Sequence, residues 1–291
     1  MNFAIGIPAF NEEKNIASLI IKLKEISKFI IVCNDGSSDE TGKIAEELGV
    51  EVINHQKNIG YGGAIKSIFN KAKEMGIECL VTFDADGQHR IEDIEKVIRP
   101  IREKKADIVI GSRFLEKSKN VPKYRKIGIK AITELTNSLT GEKITDSQSG
   151  FRAYNSDVLN SISITESGMG ISTEILIKAS KKKMKIVEVS IIINYDGDTS
   201  THNPVRHGTS VILSTIKFVA IERPLTFYGI PGIIFLFIGL FFVGWTVQAY
   251  VEDGEIITNI SIIGIGCIII GVILLVTATI LHSIITIIKE R

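Results

Sequence analysis

Hydrophobic and polar positions along the first 110 residues follow two alternating periods. Residues 3–7, 29–33, 50–54, 80–84 and 108–110 are short apolar runs rich in β-branched side chains, and they read as buried strands. Between them, residues 12–27, 40–48, 62–74 and 91–104 repeat apolar positions every three or four residues, as amphipathic helices do. This alternation predicts an α/β domain with a mainly parallel, Rossmann-like sheet and helices on both faces. A further strand is expected over 186–193, followed by a polar loop at 195–208. Residues 209–222 place Ile212, Ile216 and Val219 on one face, which predicts an amphipathic helix ended by Pro224.

The pattern then changes. Residues 229–251 carry no charged side chain, and neither do residues 256–288. Each run exceeds the roughly 20 residues that cross a bilayer. A two-helix transmembrane hairpin is therefore expected, with spans at about 229–251 and 258–284. Glu252, Asp253 and Glu255 form its acidic connection, while Lys217 and Arg223 precede it and Lys289 and Arg291 follow it. The positive-inside rule then puts both termini and the α/β domain in the cytosol. The expected organisation is an α/β catalytic domain at 1–208, an amphipathic membrane-interface helix at 209–228 and the hairpin at 229–291. Within 116–141, Lys117, Lys119, Lys123, Arg125, Lys126 and Lys130 interleave with isoleucines and leucines. Two readings fit this segment, a basic helix on an anionic membrane surface or a solvated helix packed on the sheet.

Composition adds mainly exclusions. The chain has 291 residues, with 34 Lys and Arg against 33 Asp and Glu. So even a balance gives no reason to expect nucleic acid. Mean hydropathy is +0.24, and the excess lies after Gly229. Cys33, Cys79 and Cys267 are too scattered for a metal knuckle or a disulfide framework. The apolar run at 2–8 is too short for a cleavable signal peptide.

Candidate chemistry gathers where predicted strands end. Ile7-Pro8-Ala9-Phe10-Asn11-Glu12-Glu13, Asn34-Asp35-Gly36-Ser37-Ser38-Asp39 and Asp84-Ala85-Asp86-Gly87-Gln88-His89 each follow an apolar run. In open α/β sheets, ligands bind beyond these carboxyl ends. Asp84 and Asp86 are spaced to hold a divalent cation, which can neutralise a diphosphate. The glycines of Asn58-Ile59-Gly60-Tyr61-Gly62-Gly63 suit close approach to a ligand, and the helix start there favours an anion.

With Gly111-Ser112-Arg113 and Asp146-Ser147-Gln148-Ser149-Gly150-Phe151-Arg152 further along, these motifs occur in an order that resembles the family-2 glycosyltransferases of the GT-A fold. More narrowly, the chain is similar to the polyprenyl-phosphate (dolichyl-phosphate) hexose synthases over roughly residues 1–225. The resemblance implies nucleoside contacts from Pro8, Ala9, Asn11 and Glu12, and a base or ribose contact from Asp35. It makes Asp86 the direct ligand of Mg²⁺ or Mn²⁺. Asp84 and Ala85 lie nearer the ribose, with Asp84 also serving the metal's water shell, and Gln88 is a third polar contact to metal or sugar. His89 is either a support behind the metal ligands or a loop residue without a role. Arg113 and Arg125 are the candidates for gripping the acceptor phosphate. Gln148, Phe151 and Arg152 form a block that Asp146 orders.

Two departures shape the expected activity. The Gln-x-x-Arg-Trp pattern of processive members is absent, which disfavours long polymers. In place of the Arg-x-x-Gly-x-Ser-Lys loop of mannose-transferring synthases the chain has residues 198–208, where Arg206 and His207 stand in for the missing arginine. A UDP-sugar is thus expected as donor at least as much as GDP-mannose. The implied function is inverting, metal-dependent transfer of one sugar from a nucleotide sugar to dolichyl or polyprenyl phosphate at a lipid bilayer. The alternatives are transfer to another lipid, synthesis of a short polysaccharide, or a non-catalytic nucleotide-sugar-binding homologue. Homo-oligomerisation is left open.

Overall fold

The structure, a computed structural model, describes residues 1–115, 123–193, 220, 224–254 and 257–290, with side chains at 123–125, 253 and 288–290 left aside. It divides into two compact units, Met1–Thr215 and Ile216–Arg291.

In the first unit, strands β1 (Phe3–Ala9), β2 (Phe29–Asn34), β3 (Glu51–Asn54), β4 (Cys79–Thr82), β5 (Ile108–Ser112), β6 (Arg152–Asn155) and β7 (Ile186–Ser190) form one sheet in the order β3-β2-β1-β4-β6-β5-β7. All its pairings are parallel except those of β6 with β4 and β5. The runs are apolar throughout because both faces are covered. One face is packed by helices α1 (Glu13–Lys24), α2 (Thr41–Glu47) and α4 (Ile94–Arg102). Its core includes Ile16, Ile20, Val97 and Ile98. The opposite face is packed by α3 (Tyr61–Glu74), α6 (Ser156–Ser161) and α7 (Ile171–Lys181), with Ile65, Ile68, Leu159 and Leu176 in its core.

The chain winds outward from β1 in one direction and from β4 in the other. The crevice between the carboxyl ends of β1 and β4 is therefore the topological switch point, where such sheets take ligands. Because β6 runs against its neighbours, its amino-terminal approach, residues 146–151, reaches this same edge. Periodicity did not reveal β6, α6 or α7. Most other boundaries lie within a few residues of expectation: the helix expected over 91–104 is a 3₁₀ turn at Ile91–Asp93 followed by α4, and β7 ends at Ser190. Helix α5 (Lys123–Thr140) occupies the basic segment, and its Ile132 and Thr136 are buried.

In the second unit, a π-helical turn at Leu225–Gly229 leads into α8 (Ile230–Asp253). That helix ends at Gly254 in the left-handed conformation, φ 71°. Helix α9 (Thr258–Glu290) returns against it. Among the described residues, two helical stretches are long and apolar enough to cross a membrane, Leu225–Glu252 and Thr258–Ile287. Glycines bring their backbones together. A Cβ on Gly239 would lie 2.7 Å from the Gly264 carbonyl oxygen, and one on Gly271 would lie 2.9 Å from that of Gly232. Outward residues such as Phe237, Phe241 and Val251 are exposed, as side chains facing lipid would be.

Candidate active site

The buried run of β4 continues through Phe83 and then opens into Asp84-Ala85-Asp86. Gly87 turns the chain at φ 71°, and the Gln88 backbone N–H donates to Asp86 Oδ1 at 3.0 Å. Asp84 is held on both oxygens. The Tyr61 hydroxyl donates to Oδ1 at 3.3 Å, and His89 Nε2 stands 3.3 Å from Oδ2. Gly150 lies against this pair: a Cβ there would come within 2.6 Å of the Tyr61 hydroxyl and 2.8 Å of Asp84 Oδ2.

These environments push the two carboxyls apart. Burial alone would raise Asp84. The hydrogen bond and charge of His89, the Tyr61 hydroxyl and the charge of Arg113 outweigh it and hold Asp84 below the usual carboxylate range. Burial, reinforced by the charge of Asp84, pushes Asp86 up to about 6. Such a pair gains from a divalent cation, which relieves both the burial and the repulsion. Among the described residues, no group of three His, Cys, Asp or Glu side chains converges to cage a metal. The pair therefore fits an ion that takes its remaining ligands from a diphosphate and water, as Mg²⁺ and Mn²⁺ do. The His89 ring is packed between Phe83 and Phe151, with centroids 5.6 and 5.1 Å away. Its buried Nδ1 has no hydrogen-bond partner among the described residues.

Arg113 follows β5. Its Nε and Nη2 donate to Asp146 Oδ2 and Oδ1 at 2.6 and 2.7 Å, and its own N–H reaches Oδ2 at 3.1 Å. Asp146 is fully buried and is itself oriented from behind. Glu188 on β7 accepts the backbone N–H groups of Thr145 and Asp146 at 2.8 and 2.9 Å. The arginine expected to grip an acceptor phosphate is thus fixed first by a protein carboxylate. Arg152 sits deeper and is 1% exposed. It donates to the carbonyls of Ser147, Ser149 and Ser172 at 2.6, 2.8 and 3.0 Å, which makes it a cross-brace for the block. Gln148 Nε2 is likewise turned inward, toward Ser147 and Thr173.

At the ends of β1 and β2, the half-buried Pro8 and the buried Ala9 lead to Asn11, whose φ is 57°. Asn11 accepts the Ser38 N–H at 2.9 Å, and the Glu12 N–H reaches Thr41 Oγ1 at 2.8 Å. The Asp35 carboxylate is buried and accepts from His55 Nδ1 at 2.6 Å and from the N–H groups of Ile59 and Gly60 at 3.0 and 2.8 Å.

The glycine-rich turn at 58–63 corrects an expectation. The start of α3 is not open to an anion, because other backbone occupies it. The Gly63 N–H donates to the Ser167 carbonyl at 3.1 Å, and a Cβ on Gly62 would lie 2.6 Å from the carbonyl oxygens of Glu166 and Gly168. These glycines admit a neighbouring loop. Gly62→Ala is accordingly expected to cost about 1–3 kcal/mol of stability by overpacking. Nucleotide affinity of the folded fraction should be unchanged, which denaturation and calorimetric titration with UDP and GDP will check.

The crevice thus brings together Asp84, Ala85 and Asp86, with Tyr61, His89 and Gly150 around them, and the charge of Arg113 acts on Asp84. Arg206, the polar loop at 195–208 and the helix expected over 209–222, Ala220 excepted, lie outside the described residues, as does the Arg125 side chain. Sequence reasoning missed Tyr61, His55 and Glu188. Tyr61 was in view within the glycine-rich turn, which was read as a ligand cradle, whereas His55 and Glu188 carried no local signal.

Residues 4–163 match glycosyl transferase family 2. The UDP-N-acetylglucosamine–dolichyl-phosphate N-acetylglucosaminyltransferase of Methanococcus voltae is 37% identical over 229 residues, covering 71% of this chain and 89% of that protein. The dolichyl-phosphate hexose transferase of Haloferax volcanii is 30% identical over 224 residues, covering 76% and 96%. Among solved structures, the glucosyl-3-phosphoglycerate synthase of Mycobacterium tuberculosis in complex with Mn²⁺, UDP and phosphoglyceric acid superimposes with a TM-score of 0.59. Identity there is 18%, over 74% of this chain and 78% of that one, a likeness of fold alone.

Proposed function

The chain belongs to glycosyl transferase family 2 and is a glycosyltransferase with the GT-A fold, and on that premise we propose that it moves one sugar from a nucleotide sugar to a polyprenyl phosphate, inverting the anomeric centre. The observation that carries this reading is the Asp84–Asp86 pair at the switch point, two carboxylates whose environments oppose each other. The apolar helix pair in the same chain and the names of its relatives support a lipid acceptor.

Asp86 would hold Mg²⁺ or Mn²⁺, with Asp84 beside it and Gln88 on the same turn. Bound there, the ion supplies counter-charge to the departing diphosphate. Pro8, Ala9, Asn11 and Glu12 line the nucleoside side. Asp35 has three of roughly four acceptor positions filled by protein donors, which leaves one for base or ribose. The acceptor phosphate is already ionised at neutral pH, so no side chain has to remove a proton. Arg113 and Arg125 position it for in-line attack, and Asp146 fixes the plane of the Arg113 guanidinium. Arg206 is assigned to a second phosphate contact. The basic residues flanking the hairpin support an orientation with the catalytic domain and both termini on the cytosolic side.

Purified protein supplied with polyprenyl phosphate, Mg²⁺ or Mn²⁺ and a panel of labelled UDP- and GDP-sugars should yield a solvent-extractable lipid-linked monosaccharide. UDP-sugars come first, given the relative from Methanococcus voltae. Equal transfer to unphosphorylated polyprenol, or nucleotide-sugar binding without turnover across the panel, would overturn the reading.

A further inference from the structure

His55 follows β3, and its backbone N–H extends the ladder to the Asn34 carbonyl at 2.9 Å. Its side chain is 9% exposed and is engaged at both nitrogens. Nδ1–H donates to Asp35 Oδ1 at 2.6 Å, a direction fixed because a carboxylate only accepts. Nε2 lies 2.9 Å from the Ser67 hydroxyl and 3.5 Å from Cys33 Sγ. Asp35 in turn receives the N–H groups of Ile59 and Gly60, the two residues just before α3. Gly60 sits at φ 105°, a conformation that side chains rarely adopt and glycine adopts freely. Tyr61, the first residue of α3, reaches Asp84 through its hydroxyl, and Ser67 lies on the same helix. His55 therefore grips α3 at two points, at its entrance through Asp35 and along its length through Ser67.

We propose that His55 is a positioning residue of the transfer site: through Asp35 and the Ile59–Gly60 turn it sets Tyr61, and Tyr61 sets the Asp84 carboxylate. The inference rests on the reading that Asp84 and Asp86 take a divalent cation. Its consequence is that a side chain just past β3, with no direct contact to Asp84 among the described hydrogen bonds, governs metal affinity. Partners behind a metal ligand commonly change affinity by about ten- to a hundredfold when removed, because the ligand's orientation is lost.

The test is Mn²⁺ binding to the full-length protein in detergent micelles, read from the electron paramagnetic resonance signal of free Mn²⁺, with the thermal midpoint recorded alongside. His55→Leu should weaken Mn²⁺ about tenfold. His55→Asn, whose amide nitrogen can take the place of Nδ1, should stay within about threefold of wild type by keeping the donor to Asp35. Tyr61→Phe should lose as much as His55→Leu, and the double variant should lose no more than either, because both act on one path. Unchanged Mn²⁺ affinity in His55→Leu or in Tyr61→Phe, whatever the thermal midpoint, overturns the proposal, and so do additive losses. A wild-type protein that binds no Mn²⁺ overturns the cation reading itself, and the inference with it.

Discussion

Transfer by the Asp86→Asn protein is expected to fall by on the order of a hundredfold or more, because the diphosphate loses the group that holds its counter-charge. The same substitution is expected to stabilise the metal-free protein. Asp86 is pushed up from 3.8 to about 6 by burial and by the charge of Asp84. A carboxyl raised in the folded state binds its proton more tightly there than in the unfolded chain. Above pH 6 its ionised form therefore works against folding, and that penalty fades as pH falls toward 4. Asparagine removes the charge and keeps an oxygen for the Gln88 N–H. In EDTA at pH 7, Asp86→Asn should gain about 3 kcal/mol, a gain that shrinks toward zero near pH 4. Activity and thermal midpoint thus move in opposite directions for one residue. Full transfer in EDTA, or a lower midpoint for the variant at pH 7, would sink the assignment.

The second large effect is expected at Asp146, which never meets solvent and so touches a substrate only through others. It accepts from the Arg113 N–H, Nε and Nη2 and from the Gln88-like turn donor at Gln148, whose N–H lies 3.3 Å away. Asp146→Ala removes the countercharge of a guanidinium that is only 15% exposed. Breaking a buried pair from one side costs about 3–5 kcal/mol, mainly through the charge left behind. Transfer should collapse with it, through a raised KM for lipid phosphate at constant KM for the donor. Arg113→Lys keeps the charge but loses the two-pronged geometry, so it should show the same KM split with a smaller stability loss. A variant of Asp146 that folds and transfers normally would remove Arg113 from the acceptor site.

How much was legible beforehand depended on the range of the forces involved. Strands covered on both faces are apolar end to end, so β1, β2, β4 and β5 could be read locally. Strand β6 could not. It begins with Arg152 and ends with Asn155, and the arginine is buried only because carbonyls from residues 147, 149 and 172 converge on it. The carboxylate pair was legible from its spacing, but the contrast between its members depends on Tyr61, His89 and Arg113. The glycines at 60 and 62 announced a close approach that was read as a ligand's, and the partner proved to be the loop at 166–168. Arg113 was placed correctly at a strand end, while its partner lies 33 residues further on.

The reversed strand β6 also bears on the order of events during synthesis. Strands β4 and β5 do not pair with each other; both pair with β6. A nascent chain that has emerged only through β5 therefore holds β4 with an unpaired edge, and β5 with no neighbour at all. Residues 113–151 must follow β5 before β6 can close that gap. Open edges of this kind recruit strands from other chains, so the interval is the one in which self-association is most favoured. A chain whose emergence halts between residues 112 and 152 would expose that hazard.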